Sequence, residues 1–289
     1  RPVMLWGPMG VGKSDVVKQI GAESDREVID VRLPLWEPTD IKGIPYFNSN
    51  TETMNWAPPV ELPQDPNSTA ILFLDELVSA PPAVQAAAYQ LVLNRRVGTY
   101  KLPDGVDIVA AGNREGDRGV TYKMPAPLAN RFLHLEMKAN FDDFHEWAVA
   151  NNVHSQVVGY LSYAKSDLFD FDPRSASRAF ATPRSWSFVS ELLEEEDNDE
   201  ETLTNLISGA VGDGLAVKFM AHRLIVGRLP APINVLKGLV TTLEVKEISA
   251  MYSLITEMCY ELQRQREAKA EDWSKYMDNF FGYILKNFP

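Results

Sequence analysis

The run Gly7-Pro8-Met9-Gly10-Val11-Gly12-Lys13-Ser14 follows directly on the apolar stretch Val3-Met4-Leu5-Trp6, and it leaves the chain few ways to fold. A G-x-x-x-x-G-K-S pattern in that setting requires a strand, a tightly curled loop and then a helix. The glycines let consecutive backbone N–H groups turn inward on an anion, and the helix adds its positive end. Gly7, Pro8, Met9, Gly10, Val11, Gly12, Lys13 and Ser14 are therefore the expected nucleotide-binding residues. Lys13 reaches β- and γ-phosphate oxygens as a mobile point charge, while the Ser14 hydroxyl is suited to Mg²⁺, a hard cation that prefers oxygen. A glycine-rich turn that merely joined a strand to a helix would have no need of Lys-Ser after its last glycine.

A phosphate loop is common to many chemistries, and a second motif narrows them. Ala70-Ile71-Leu72-Phe73-Leu74-Asp75-Glu76 reads as a strand buried on both faces that delivers two carboxylates at its carboxyl end. Ligands of α/β sheets bind at that end. Asp75 is the expected partner of the metal's hydration shell, and Glu76 the expected base for the water that attacks the γ-phosphate. The bland alternative is a helix start decorated with acids. A third strand, Val106 to Gly112, stops at Asn113, which can orient that water; a simple strand-ending turn is the alternative. Arg131, in Leu128-Ala129-Asn130-Arg131-Phe132, precedes a strand-like run from Phe132 to Met137. It could neutralise charge on the transferred phosphoryl group, or form a surface salt bridge. No Asn/Thr-Lys-x-Asp guanine motif occurs, which favours ATP.

In this order the motifs resemble those of AAA+ ATPases, most closely the MoxR-like branch. Leu74 to Ala87 resembles that family's passage from Walker B into the next helix, and Arg96 to Pro103 resembles its hairpin before sensor 1. Asn113 matches sensor 1, Arg131 the arginine finger, and Arg184 in Ala181-Thr182-Pro183-Arg184-Ser185 matches sensor 2 at the start of a lid helix. The resemblance implies a P-loop α/β core with a mostly parallel five-stranded sheet over residues 1–140. A small all-α lid over 141–229 and a C-terminal helical extension over 230–289 complete the expectation. It also implies a ring, usually a hexamer, in which one subunit's finger completes its neighbour's site. Mg-ATP hydrolysis would then remodel a protein partner, often one with a von Willebrand factor A domain. One departure is Gly112-Asn113-Arg114-Glu115-Gly116-Asp117-Arg118 where relatives read Gln-Asn-Pro, so Arg114 and Arg118 compete with Arg131 for interface roles. Two other readings stay open: a nucleic-acid motor of the same fold, with Arg95, Arg96 and Lys101 facing a strand in the channel, and a nucleotide-gated scaffold.

Between the first helix and Asp75, residues 31–66 are rich in proline and aromatics and read as a long functional loop. In the MoxR-like family this region carries an insertion toward the central channel, so Tyr46, Phe47 or Trp56 could grip a partner; equally, Trp36 and Trp56 could cover the sheet edge. Downstream, helical periods run over 148–164, 185–193 and 203–226, with the acidic run Glu194 to Glu201 as a solvated linker. The apolar positions Ile248, Met251, Tyr252, Ile255, Met258, Cys259 and Leu262 read as the core stripe of another helix, and a last helix carries Trp273, Tyr276, Phe280, Phe281 and Tyr283.

The net charge of −12 disfavours a protein that coats nucleic acid. One cysteine excludes an internal disulfide, and no apolar run approaches a membrane span. The composition reads as that of a soluble cytoplasmic protein. His134, His145, His154 and His222 lack metal-ligand spacing and read as structural. Arg1 leads at once into the first strand, which reads as a chain without a signal peptide whose natural start, with sequence that helps enclose the adenine, lies upstream.

Overall fold

The computed structural model describes residues 1–288 apart from 118–120, 176, 196–197 and 246; Arg118, and Glu196 and Asp197 of the acidic run, lie outside the described residues. The chain separates into two units, Arg1–Lys138 and Ala139–Pro289.

The first unit begins with strand β1 (Val3–Trp6) and helix α1 (Lys13–Glu23), followed by β2 (Val28–Arg32), α2 (Pro38–Lys42), β3 (Ile44–Asn48) and β4 (Thr53–Ala57). It continues through β5 (Ile71–Asp75), α3 (Pro82–Asn94), β6 (Arg96–Val97), β7 (Tyr100–Lys101), β8 (Asp107–Gly112), α4 (Ala126–Ala129) and β9 (Leu133–Glu136). Five strands pair in the order β2-β5-β8-β1-β9, every neighbouring pair parallel. A wholly parallel sheet must be covered on both faces, and β5 is buried along its full length. Alternation along β5 sends Ile71 and Phe73 to one apolar cluster, with Leu5 and Val17, and Leu72 and Leu74 to the other, with Met4, Val84 and Leu91. Fully buried side chains such as Leu72 and Phe73 contribute about 2 kcal/mol each. At the amino ends of the strands Arg26 ties the layers together, pairing with Asp107 at 2.7 Å and donating to the carbonyls of Thr69 and Ala70.

Residues 31–66 are more ordered than a loop. The α2 turn is closed by a reciprocal capping box between Glu37 and Asp40, and β3 and β4 form an antiparallel hairpin. The turn cluster Asn48-Ser49-Asn50-Thr51 between two aromatic-bearing runs was the available signal. Gly43 opens the hairpin at φ +86°, where a Cβ would lie 1.9 Å from the Ala57 carbonyl oxygen, so no other residue fits. Trp36 packs on the main core, and half-buried Trp56 lies against Gly98 in the β6–β7 turn, with Thr99 Oγ1 donating to the Trp56 carbonyl at 2.8 Å. Tyr46, Phe47 and Met54 stay exposed.

The second unit is helical: α5 (Phe141–Ala150), α6 (Ser155–Tyr163), α7 (Pro183–Glu194), α8 (Glu200–Val211), α9 (Asp213–Val226), α10 (Pro232–Leu236), α11 (Ile248–Glu267) and α12 (Trp273–Asn287). The periods over 148–164 and 203–226 each divide into two helices. Asn152, at φ +55°, interrupts the first, and Gly212, at φ +91°, the second. Leu203, Ile207, Val211, Leu215 and Phe219 keep a spacing of four straight through the Gly212 break and enter one cluster, so periodicity alone did not reveal it.

The stripe on α11 is also corrected. Ile248, Tyr252 and Cys259 are exposed, while Ala250, Ser253, Leu254, Met258 and Leu262 are buried. The reason is close packing on α6, where a Cβ on Gly159 would lie 2.5 Å from Ser253 Oγ; small residues make that contact, while Met258, Leu262 and half-buried Ile255 of the expected stripe pack in the C-terminal cluster. On α12, Tyr276, Phe280 and Tyr283 are buried and Phe281 is exposed. Among the described residues no helix is long and apolar enough to cross a membrane.

His222 sits in this packing, 5% exposed, with Nε2 2.8 Å from Ser253 Oγ and its ring edge-on to Tyr160. Nδ1 is buried without a partner. Burial pulls its pKa from 6.5 down to about 4. A pKa lowered on folding means stability that is present above pH 6.5 and is lost as pH falls toward 4, by up to about 3 kcal/mol. Urea unfolding followed by circular dichroism should therefore show a midpoint that drops across pH 6.5 to 4 in the wild type. In His222→Asn that part of the drop should disappear.

Candidate nucleotide site

The order of the sheet places β1 between β8 and β9 with β5 one strand further, so the carboxyl ends of β1, β5 and β8 lie side by side. The phosphate loop leaves β1 with Gly10 at φ +75° and Gly12 at φ +91°, both in the left-handed region. Gly7 must be small for a second reason, since a Cβ there would approach the Met137 carbonyl oxygen to 2.9 Å. Met9, Gly10, Val11 and Gly12 lie half-buried ahead of α1, whose first residue is Lys13.

Two sequence-predicted groups, Asp75 and Asn113, converge on this loop. Ser14 Oγ donates to Asp75 Oδ2 at 2.9 Å, and Asp75 is 7% exposed. Its other oxygen, Oδ1, accepts the Glu76 backbone N–H at 2.9 Å. Lys13 Nζ donates to the carbonyls of Gly7 and Pro8 at 2.7 and 2.9 Å and to Asn113 Oδ1 at 2.9 Å. The loop's ammonium is thus held between its own backbone and the end of β8. Ser14 and Asp75 present a hydroxyl and a carboxylate to the same point, a donor set that fits a hard divalent cation such as Mg²⁺.

Glu76 follows at φ +55°, ψ +36°, a left-handed backbone that a side-chain-bearing residue adopts at a cost of about 1–3 kcal/mol. That turn directs the chain away from the buried strand and leaves Glu76 exposed beside Asp75. Gly112, the last residue of β8, is forced by packing, because a Cβ there would meet Val78 Cγ2 at 2.7 Å and Met4 Cε at 2.8 Å. Asn113 is the first side chain free of that squeeze.

The arginines separate by position. Arg114 lies at the same strand ends as the loop and is engaged by acids, with Nε 3.2 Å from Asp117 and Nη1 3.8 Å from Glu136. Arg131 is exposed at the opposite end of the sheet, ahead of β9, which runs parallel to β1 with Val3 opposite Leu133 and Trp6 opposite Glu136. At 3.3 Å per residue the strand alone sets Arg131 roughly 10 Å or more from the phosphate loop. It lines a cleft of about 560 Å³ with Arg95 and Asp107. Arg184 belongs to the second unit, exposed on the first turn of α7. Its backbone is set by the Thr182–Ser185 capping box and by buried Trp186, whose Nε1 donates to the Asp167 carbonyl at 2.8 Å.

Comparison with known proteins follows the same line. Residues 2–132 match the family described as AAA domain (dynein-related subfamily). No curated protein matches the sequence. Among solved structures, the Holliday junction branch migration motor RuvB of Thermotoga maritima is 16% identical over 98% of this chain and 79% of its own, with a TM-score of 0.41. NtrX of Brucella abortus in complex with ADP is 15% identical over 97% of this chain and 64% of its own, with a TM-score of 0.44. A putative ATPase of Cytophaga hutchinsonii is 14% identical over 73% and 76%, with a TM-score of 0.35. With the phosphate loop, Asp75 and Asn113 gathered at one edge of a five-stranded parallel sheet, residues 2–132 have the P-loop fold of the AAA domain family that their sequence matches.

Proposed function

We propose that this protein is a MoxR-like AAA+ ATPase that hydrolyses ATP at subunit interfaces of a ring and uses the cycle to remodel a protein partner. The observation that carries this reading is the division of the first unit into two poles. Lys13, Ser14, Asp75, Glu76 and Asn113 stand at one end of the strands, whereas Arg131 stands at the other, out of reach of its own phosphate loop. An arginine so placed serves a neighbour's nucleotide, and assembly then becomes a condition for turnover.

Within one site the roles follow from the groups. The loop backbone and Lys13 bind the β- and γ-phosphates, Asn113 orients the attacking water, and Glu76 takes its proton as the water oxygen bonds to the γ-phosphorus and the bond to the β–γ bridging oxygen breaks, ADP leaving with that oxygen. Ser14 and Asp75 would hold Mg²⁺, which would neutralise phosphate charge. Arg131 of one subunit and Arg184 of the helical lid, residues 141–229, neutralise charge on the transferred group; residues 230–289 form an extension beyond the lid. The exposed aromatics Tyr46 and Phe47 on the β3–β4 hairpin are the groups offered to a protein partner, for which a von Willebrand factor A domain is the family precedent.

Lys13→Ala should abolish nucleotide binding, while Glu76→Gln should bind ATP as the wild type does and lose turnover by about a hundredfold or more. Equal loss of binding in both would remove Glu76 from its role. The specific ATPase rate should rise with protein concentration in step with light-scattering mass. Arg131→Ala mixed with Glu76→Gln should recover activity that neither has alone, because some interfaces then pair an intact finger with an intact site. A concentration-independent rate from a monomer, without rescue at any ratio, would overturn the shared site.

A further inference from the structure

His134 lies on β9 opposite Met4, on the face of the sheet that carries Trp6 and α4. Both of its ring nitrogens are engaged. Trp6 Nε1–H, which can only donate, reaches His134 Nδ1 at 2.8 Å. The neutral ring therefore carries its proton on Nε2, which donates to the Ala129 carbonyl at 2.8 Å. One tautomer satisfies both bonds, and the two partners lie at opposite ends of the unit's chemistry. Trp6 is the last residue before the phosphate loop, and Ala129 stands two residues before Arg131.

The Ala129 end needs such support. Helix α4 spans only Ala126–Ala129, well below the length at which a helix holds itself. Leu128 and Phe132 are buried on either side, but Arg131 between them is exposed. Its turn is closed by Asn130 N–H on Ala126, Arg131 N–H on Leu128 and Phe132 N–H on Ala129. The Ala129 carbonyl thus accepts both Phe132 N–H and His134 Nε2–H; Leu128 and Phe132 share an apolar cluster with Met4 of β1, and the histidine adds a directional hydrogen-bonded link from the turn to Trp6 at the strand's end.

We propose that His134 is a positioning residue: through Trp6 and the Ala129 carbonyl it ties the turn bearing Arg131 to the strand end that opens into the phosphate loop, and so sets the arginine that a subunit offers to its neighbour. This rests on the reading of Arg131 given above. It goes further by naming the side chain that holds the finger in place and linking that finger to its own subunit's nucleotide.

The test separates the finger side of a subunit from its own active site. Subunits carrying Glu76→Gln, silent at their own site, are mixed in excess with wild type, and the turnover of the wild-type sites is measured. Beside donors that carry Glu76→Gln alone, donors with added Arg131→Ala should suppress that turnover. Added His134→Phe should lower it about tenfold, as small misplacements of a catalytic group do. Added His134→Gln, which keeps an amide donor and acceptor, should restore at least half. Added Trp6→Phe removes the same bond from its other side and should reproduce the His134→Phe effect, with no further loss in the double variant. Nucleotide affinity of each donor should stay within about twofold of the Glu76→Gln parent, a readout that general misfolding would move. If Arg131→Ala suppresses turnover while His134→Phe and Trp6→Phe behave as the parent, the positioning role is wrong and the shared site stands. If Arg131→Ala itself has no effect, the shared site fails, and the role of His134 with it.

Discussion

Two hydrogen bonds, Lys13 to Asn113 and Ser14 to Asp75, join the phosphate loop to the ends of two other strands, and much of the first unit exists to make them possible. They require β1, β5 and β8 to end level with one another, which in a parallel sheet means a long crossover between each pair. The crossovers supply helices for both faces, and those helices bury the continuous apolar runs of the strands. The squeeze that forces glycine at 112 and the left-handed turn at Glu76 are local costs of bringing polar groups out of so tightly packed a layer. Charge reaches the loop only where the strands stop.

The same sheet gives the unit a polarity. One end gathers anion-binding and acidic groups; the other is held by Arg26 on Asp107 and neighbouring carbonyls and carries exposed Arg131. Arg114, the competing cation described at the loop end, pairs with Asp117 and Glu136 beside the loop. The loop's binding groups and the exposed Arg131 therefore face opposite ways along the strands.

In the helical unit, close approach of two helices accompanies apolar clusters of bulky residues. Gly159 against Ser253 brings α6 and α11 together, and His222 is enclosed there as a neutral ring bonded to Ser253. Larger residues such as Trp186 and Phe219 pack beside it on Tyr160, whose ring also meets His222. The exposed Ile248 and Tyr252 on α11 follow from this choice of contact face.

The phosphate loop, the acidic strand end and the strand ending at Asn113 were legible in the chain because each is a local pattern: glycines where the backbone must curl, an apolar run of strand length, a polar residue where burial stops. The length of the 31–66 segment was legible too, but its hairpin was not, since prolines and aromatics mask the alternation and Gly43 is needed only because Ala57 lies across from it. The break at Gly212 was hidden by a spacing of four that runs through it, and the contact face of α11 by small residues that hydrophobicity does not count. The hydrogen bond between Trp6 and His134 spans 128 residues, and no local pattern encodes it. By itself the sequence determined that this chain carries a phosphate loop and which residues form it, because that motif is written within eight consecutive residues. Tertiary structure alone decided which carboxylate meets Ser14, which end of the sheet holds Arg131 and which histidine bridges the two ends, because strand order and direction are set by packing on both faces of the sheet.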